Sequence, residues 1–166
     1  MKFQVYSRKD AEASNDLPHP HLIISLHGPG SQPKPAVNRM TQAMLSICTD
    51  DVDPTAGNRE RRRQLFKDSQ GRDWMPMTAG DAKCIIDFVA SWKDRAATIR
   101  VHCEAGISRS SAVAAALAKW IEGDVSEANI RALPTLHPNP HIYSLMTKEL
   151  RSRKLIPPRP FESDDG

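Results

Sequence analysis

The chain has 166 residues, 39% apolar and 26% charged, with a formal net charge of +3, a pI near 8.9 and a mean hydropathy of −0.51. That length suits one domain with a sizeable core, expected over residues 1–156 with a flexible tail at 157–166, and the mildly basic balance fits an anionic substrate without asking for nucleic acid. No run approaches the ~18 apolar residues of a membrane-spanning helix, and Met1-Lys2-Phe3-Gln4 opens no signal peptide, so a cytoplasmic protein with no membrane partner is expected.

In chain order, Phe3-Gln4-Val5-Tyr6 alternates well enough to predict a short edge strand. Residues 7–20 are polar, end in Leu17-Pro18-His19-Pro20 and read as a connector. His21 to Leu26 predicts a second strand, apolar enough to be central. It stops at a Gly/Pro loop, His27-Gly28-Pro29-Gly30 through Pro35, read as a surface loop, with an approach to a site at the strand end as the other reading. Met44 to Cys48 predicts a third strand, also read as central, running into Thr49-Asp50-Asp51-Val52-Asp53-Pro54. Residues 55–75 read as a polar insertion holding Arg59-Glu60-Arg61-Arg62-Arg63 and a short helix near 59–67. Thr78-Ala79-Gly80-Asp81 predicts a capping box, and Ala82, Ile85, Ile86 and Val89 recur at the spacing of an amphipathic helix over 79–92. The three cysteines, Cys48, Cys84 and Cys103, lack the spacing of a disulfide framework or a zinc site, which favours a reducing compartment and no metal. Cys48 and Cys84 are read as core residues, although Cys84 lies off the apolar stripe of its helix.

The informative stretch comes next. Thr98, Ile99 and Val101 are β-formers, and Ala112 to Ile121 is rich in the best helix former, so a strand over 98–102 and a helix over 110–121 are predicted, the helix ended by Gly123. Between them lies His102-Cys103-Glu104-Ala105-Gly106-Ile107-Ser108-Arg109-Ser110, a strand end, a tight loop and a helix start. Such a loop turns backbone N–H groups and the positive end of the helix dipole toward one point, a geometry suited to a tetrahedral oxyanion. Cys103 is the candidate nucleophile, because a thiolate attacks where a neutral thiol does not. Arg109 can hold two oxygens with its planar fork, and Gly106 allows backbone angles and a close approach denied to other residues. Ser110 sits where its hydroxyl can donate to the sulfur. His102 alternates onto the other face of the strand, where ordering the loop is the expected role. Beyond the helix, Ser126 is read as the cap of a short helix through Leu133. Asn139 as cap and Pro140 in the first turn open a last helix whose buried face is Ile142, Leu145, Met146 and Leu150.

His102-Cys103-x5-Arg109-Ser110 resembles the signature of the cysteine-dependent protein tyrosine phosphatases, and the short chain resembles their dual-specificity branch. The resemblance covers most of residues 20–152 and is specific at the signature. It implies an α/β fold with a mostly parallel central sheet flanked by helices, with an insertion near 55–75. It implies a phosphomonoesterase working through a phosphocysteine, without metal or other cofactor, on phosphotyrosine foremost and on phosphoserine or phosphothreonine second, in phosphorylated proteins or peptides. Cys103 would attack phosphorus, residues Glu104, Ala105, Gly106, Ile107, Ser108 and Arg109 would hold the phosphate, and Ser110 would ease departure of the thiolate. The family also uses an aspartate as proton donor, and this chain offers Asp50, Asp51, Asp53, Asp68 and Asp73. The family's separation from the cysteine, roughly thirty residues, points to Asp73 or Asp68. Topology points to Asp51, because the acid loop follows the strand before the helix that leads into the signature strand. Asp51 is preferred and Asp73 stands second. A rhodanese-like sulfur transferase is the nearest rival signature, but it carries a shorter loop. Lipid phosphates and RNA 5′-phosphates are the alternatives within the class. A catalytically weak pseudophosphatase that recognises phosphoproteins is the alternative outside it.

Overall fold

A computed structural model describes residues 1–54 and 72–158; the expected helix near 59–67, the run Arg59 to Arg63, Asp68 and most of the C-terminal tail lie outside the described residues. Four strands form one sheet in the order β1-β4-β2-β3: β1 Lys2–Ser7, β2 His21–His27, β3 Thr41–Cys48 and β4 Thr98–Cys103. Every pairing is parallel, so β4 lies between β1 and β2, with Ser7 opposite Cys103 and Ser25 opposite His102. The α-helices among the described residues are α1 Arg8–Ala13, α2 Ala79–Trp92, α3 Arg109–Glu122, α4 Asp124–Arg131 and α5 Pro140–Ser152. The architecture is an α/β sheet flanked by helices, as the sequence implies.

The two faces of the sheet differ in chemistry. Leu22, Ile24, Leu26, Ile99, Val101 and Cys103 point into one core with Ile85, Ile86 and Val89 of α2, Val113 and Leu117 of α3, and Ile142, Met146 and Leu150 of α5. Helix α3 is buried along most of its length, and its run of alanines lets the sheet and the neighbouring helices approach it closely. The opposite face carries Ile23, Ser25, Arg100 and His102, all buried; Arg100 stacks its guanidinium 4.3 Å from the Tyr6 ring.

Several elements differ from the sequence reading, each for a local reason. β3 is an edge strand, not a central one, and its alternation leaves Met44, Ser46 and Cys48 exposed while Ile47 is buried. Cys48 is therefore exposed, and Cys84 is exposed because it lies off the buried stripe of α2, so neither is a core residue. The polar connector after β1 contains α1, capped by Ser7 Oγ on Asp10 N–H and braced by an Arg8–Glu12 pair one turn apart at 3.0 Å. Six residues are too few to show a helical period. Helix α4 starts at Asp124, directly after Gly123 at φ 89°, so Ser126 lies inside the helix and is not its cap. The capping box at Thr78–Asp81 and the Asn139 cap with Pro140 in the first turn are present as read.

Candidate active site

The loop from Cys103 to Arg109 leaves the carboxyl end of β4 and enters α3, at the end of the parallel strands where such sheets gather ligand-binding groups. Cys103 is 2% exposed, and its Sγ lies 3.1 Å from Ser110 Oγ. Burial pushes this thiol up. Hydrogen bonds from the Ser110 hydroxyl and N–H, the positive charge of Arg109 and a hydrogen bond from the Gly106 N–H outweigh burial and hold it below its ordinary value. The sulfur is thus buried yet biased toward thiolate, the form that attacks an electrophile.

Arg109 is buried as the first residue of α3. Its Nη1 donates to the Thr49 carbonyl at 2.7 Å, which tethers the end of β3 to the loop. Its Nε is buried without a partner among the described residues. A charged donor in that state calls for an acceptor, and an oxyanion over Cys103 supplies one. The N–H groups of Ala105, Ile107 and Ser108 likewise meet no protein oxygen among the described residues. Gly106 has φ 70°, and a Cβ there would stand 2.5 Å from the Tyr6 carbonyl carbon and the Ser7 nitrogen. The loop is pressed against the β1–α1 junction at a point where only glycine fits. Three further bonds hold the loop's outer rim: Arg8 N–H donates to Glu104 O at 3.0 Å, His137 N–H to Ile107 O at 3.1 Å and Asn139 N–H to Ser108 O at 3.2 Å.

The structure separates the aspartates. Asp51 Oδ1 accepts from Ser108 Oγ at 2.8 Å and from Asn139 Nδ2 at 2.9 Å, so its carboxylate sits on the loop itself. Asp50, next in sequence, is buried and turned away: its Oδ2 accepts from Met75 N–H at 2.8 Å, and Arg72 lies 3.9 Å from its Oδ1. Asp50 fastens segment 72–75 to the end of β3. Asp73 is exposed, with no hydrogen bond to the loop among the described residues, and Asp53 lies two residues after Asp51.

The Gly/Pro loop after β2 borders this region. Ser31 Oγ accepts from Arg8 at 2.9 Å, Pro29 O accepts from Arg72 at 3.1 Å, and Arg8 lies 3.8 Å from Glu104. The loop is thus both at the surface, as read, and beside the site. His102 points to the opposite face from Cys103, as alternation requires, but neither ring nitrogen has a hydrogen-bond partner among the described residues, so no hydrogen bond from its ring orders the loop. Among the described residues no cluster of His, Cys, Asp or Glu suits a metal ion, and no helix is long and apolar enough to cross a membrane.

Comparison with solved structures decides the fold. Human tyrosine phosphatase-like serine/threonine/tyrosine-interacting protein superposes with a TM-score of 0.60 at 18% identity, over 92% of this chain and 93% of that one. Human DUSP28 superposes with a TM-score of 0.55 at 20% identity, over 91% of this chain and 94% of that one. The fold is that of the dual-specificity phosphatases. PTPMT1 in complex with PI(5)P also shares it, with a TM-score of 0.50 at 16% identity over 81% of each chain. No family model and no curated sequence matches the chain.

Within this dual-specificity phosphatase fold, sequence reasoning missed two contributors. Thr49 enters through its carbonyl, which no residue pattern announces. Asn139 reads from sequence only as a helix cap, yet its side chain reaches the Asp51 turn. Pro140 after it signals a helix start, and nothing in the sequence signals the second contact.

Proposed function

We propose that this chain is a cysteine-dependent phosphomonoesterase acting on phosphorylated proteins, with phosphotyrosine the foremost substrate. The observation that carries the reading is a buried Cys103 Sγ, biased toward thiolate, beside a buried Arg109 whose Nε has no partner among the described residues. In the first step the Cys103 thiolate attacks phosphorus. The P–S bond forms, the P–O bond to the leaving group breaks, and the departing oxygen takes a proton from Asp51. In the second step the Asp51 carboxylate takes a proton from water, the water oxygen attacks phosphorus, the P–S bond breaks and inorganic phosphate leaves. The loop N–H groups and Arg109 stabilise charge on the equatorial oxygens in both steps. Ser110 Oγ, at 3.1 Å, donates to the sulfur as it regains its charge. Ile107, 39% exposed on the loop, offers an apolar surface for an aromatic ring.

The test is metal-free hydrolysis of p-nitrophenyl phosphate, phosphotyrosine and phosphothreonine peptides and a phosphoinositide, by wild type and Cys103→Ser. The expected result is turnover by wild type, fastest among the natural esters on phosphotyrosine, and loss of at least a hundredfold in the variant with vanadate binding retained. Activity of Cys103→Ser above about a hundredth of wild type overturns the covalent mechanism. Wild type that binds phosphotyrosine peptide without turnover supports the pseudophosphatase reading instead. Preference for the phosphoinositide reassigns the substrate, an arm motivated by the shared fold of the protein seen with PI(5)P.

A further inference from the structure

Asn139 joins three elements through one side chain and one backbone group. Its Oδ1 accepts from Ile142 N–H at 3.1 Å and caps α5. Its Nδ2 donates to Asp51 Oδ1 at 2.9 Å and to Val52 O at 3.4 Å. Its N–H donates to Ser108 O at 3.2 Å, and Ser108 Oγ returns to Asp51 Oδ1 at 2.8 Å. The residue is 5% exposed, so these contacts compete little with water.

Capping does not by itself demand asparagine, because Asp and Ser cap helices equally well. Asparagine differs from both in carrying an N–H donor beside its acceptor, and here that donor is spent on the Asp51 turn. Both donors at Asp51 meet the same oxygen. Oδ2 has no partner among the described residues and is the oxygen left to carry a proton when the carboxyl is neutral.

We propose that Asn139 is a positioning residue for proton delivery: with Ser108 it holds Oδ1 of Asp51 and leaves the protonated Oδ2 facing the departing oxygen. This rests on the phosphomonoesterase reading above. It makes the start of α5 part of the acid machinery, although Asn139 touches no reacting atom.

The test uses Asn139→Ser and Asn139→Thr in the full chain. Both keep an acceptor for Ile142 N–H, and their shorter side chains remove the amide donor to Asp51. Should Asn139→Ser fail to fold, Asn139→Thr carries the comparison, since it too caps a helix N-terminus and adds no charge beside Asp51. kcat/KM is measured for phosphotyrosine peptide, a poor leaving group, and for p-nitrophenyl phosphate, an activated one, together with Tm and with the same substitutions in Asp51→Asn. The expected result is a loss of about tenfold or more on the peptide and less than about twofold on the activated ester, a Tm near wild type, and no further loss in the Asp51→Asn background. Equal losses on both substrates, undiminished peptide activity, or an additive loss in Asp51→Asn overturns the positioning role. If Asp51→Asn itself shows no leaving-group-dependent loss, the catalytic assignment of Asp51 falls and the proposal falls with it. If Asp51→Asn shows that loss and neither Asn139 variant does, only the role of Asn139 falls.

Discussion

Charge and shape act together at Arg109, and the two are separable by substitution. The guanidinium binds Thr49 O through Nη1, while Nε is buried with no partner among the described residues. Lysine keeps the charge but offers a point donor in place of a planar fork. Arg109→Lys is expected to lower kcat/KM at least a hundredfold, because it loses both the tether to Thr49 and the proposed two-pronged hold on phosphate; steady-state kinetics on p-nitrophenyl phosphate checks this. The same reasoning distinguishes the aspartates. Asp51 touches the loop through Ser108, whereas Asp73 has no such tie. Asp51→Asn is expected to lower kcat/KM for phosphotyrosine peptide much more than for an activated aryl phosphate. Asp73→Asn is expected to leave both unchanged. The reverse pattern would place segment 72–75 at the leaving group.

The loop from Cys103 to Arg109 depends on an element it does not belong to. Gly106 at φ 70° lies against the β1–α1 junction, and an added methyl group meets backbone, which has no rotamer to escape into. Gly106→Ala combines an unfavourable left-handed residue with a clash at 2.5 Å. It is expected to destabilise by about 1–3 kcal/mol and to cut activity further than that loss of stability explains, because the loop N–H groups must turn to relieve the contact. Urea unfolding and kinetics on the folded fraction separate the two effects. Helix α1, six residues long, gains its importance the same way: it receives the loop through Arg8 N–H on Glu104 O and is itself tied to the Gly/Pro loop through Arg8 and Ser31.

Across the whole molecule, the two faces of the sheet respond differently to pH. His102 is buried on the polar face, and burial, only partly offset by Glu12, pushes its pKa down from 6.5 to about 4. The unfolded chain therefore takes up a proton at this site before the native state does. The contribution is neutral above pH 6.5, becomes destabilising as pH falls toward about 4, and levels off below that. The full effect has an upper bound of roughly 3 kcal/mol. Wild type is expected to lose more stability than His102→Gln between pH 7 and pH 4.5, measured by urea unfolding at each pH. Equal losses would mean that His102 is hydrated in the native state.

The elements and residues legible in the sequence are those whose causes are local. Thr78 and Asp81 three residues apart close a capping box, apolar residues at helical spacing define α2, and the Cys103-x5-Arg109 spacing between β-formers and an alanine run places the proposed nucleophile and oxyanion holder on one loop. The capping box and the helical spacing act within a few residues, so the chain carries them without reference to the rest of the fold. Tertiary structure decided what depends on closing long loops. Ser108 and Asn139 reach Asp51 across 57 and 88 positions of sequence, and the choice among neighbouring aspartates turns on which side of the β3 end each side chain leaves. Asp50 faces Met75 and Asp51 faces the loop, although the two are adjacent and chemically identical. The edge position of β3, and with it the exposure of Cys48, followed from strand order, which no single strand's composition encodes. Short-range hydrogen bonds and side-chain periodicity are written residue by residue; the meeting of distant groups is written only in the packing that brings them together.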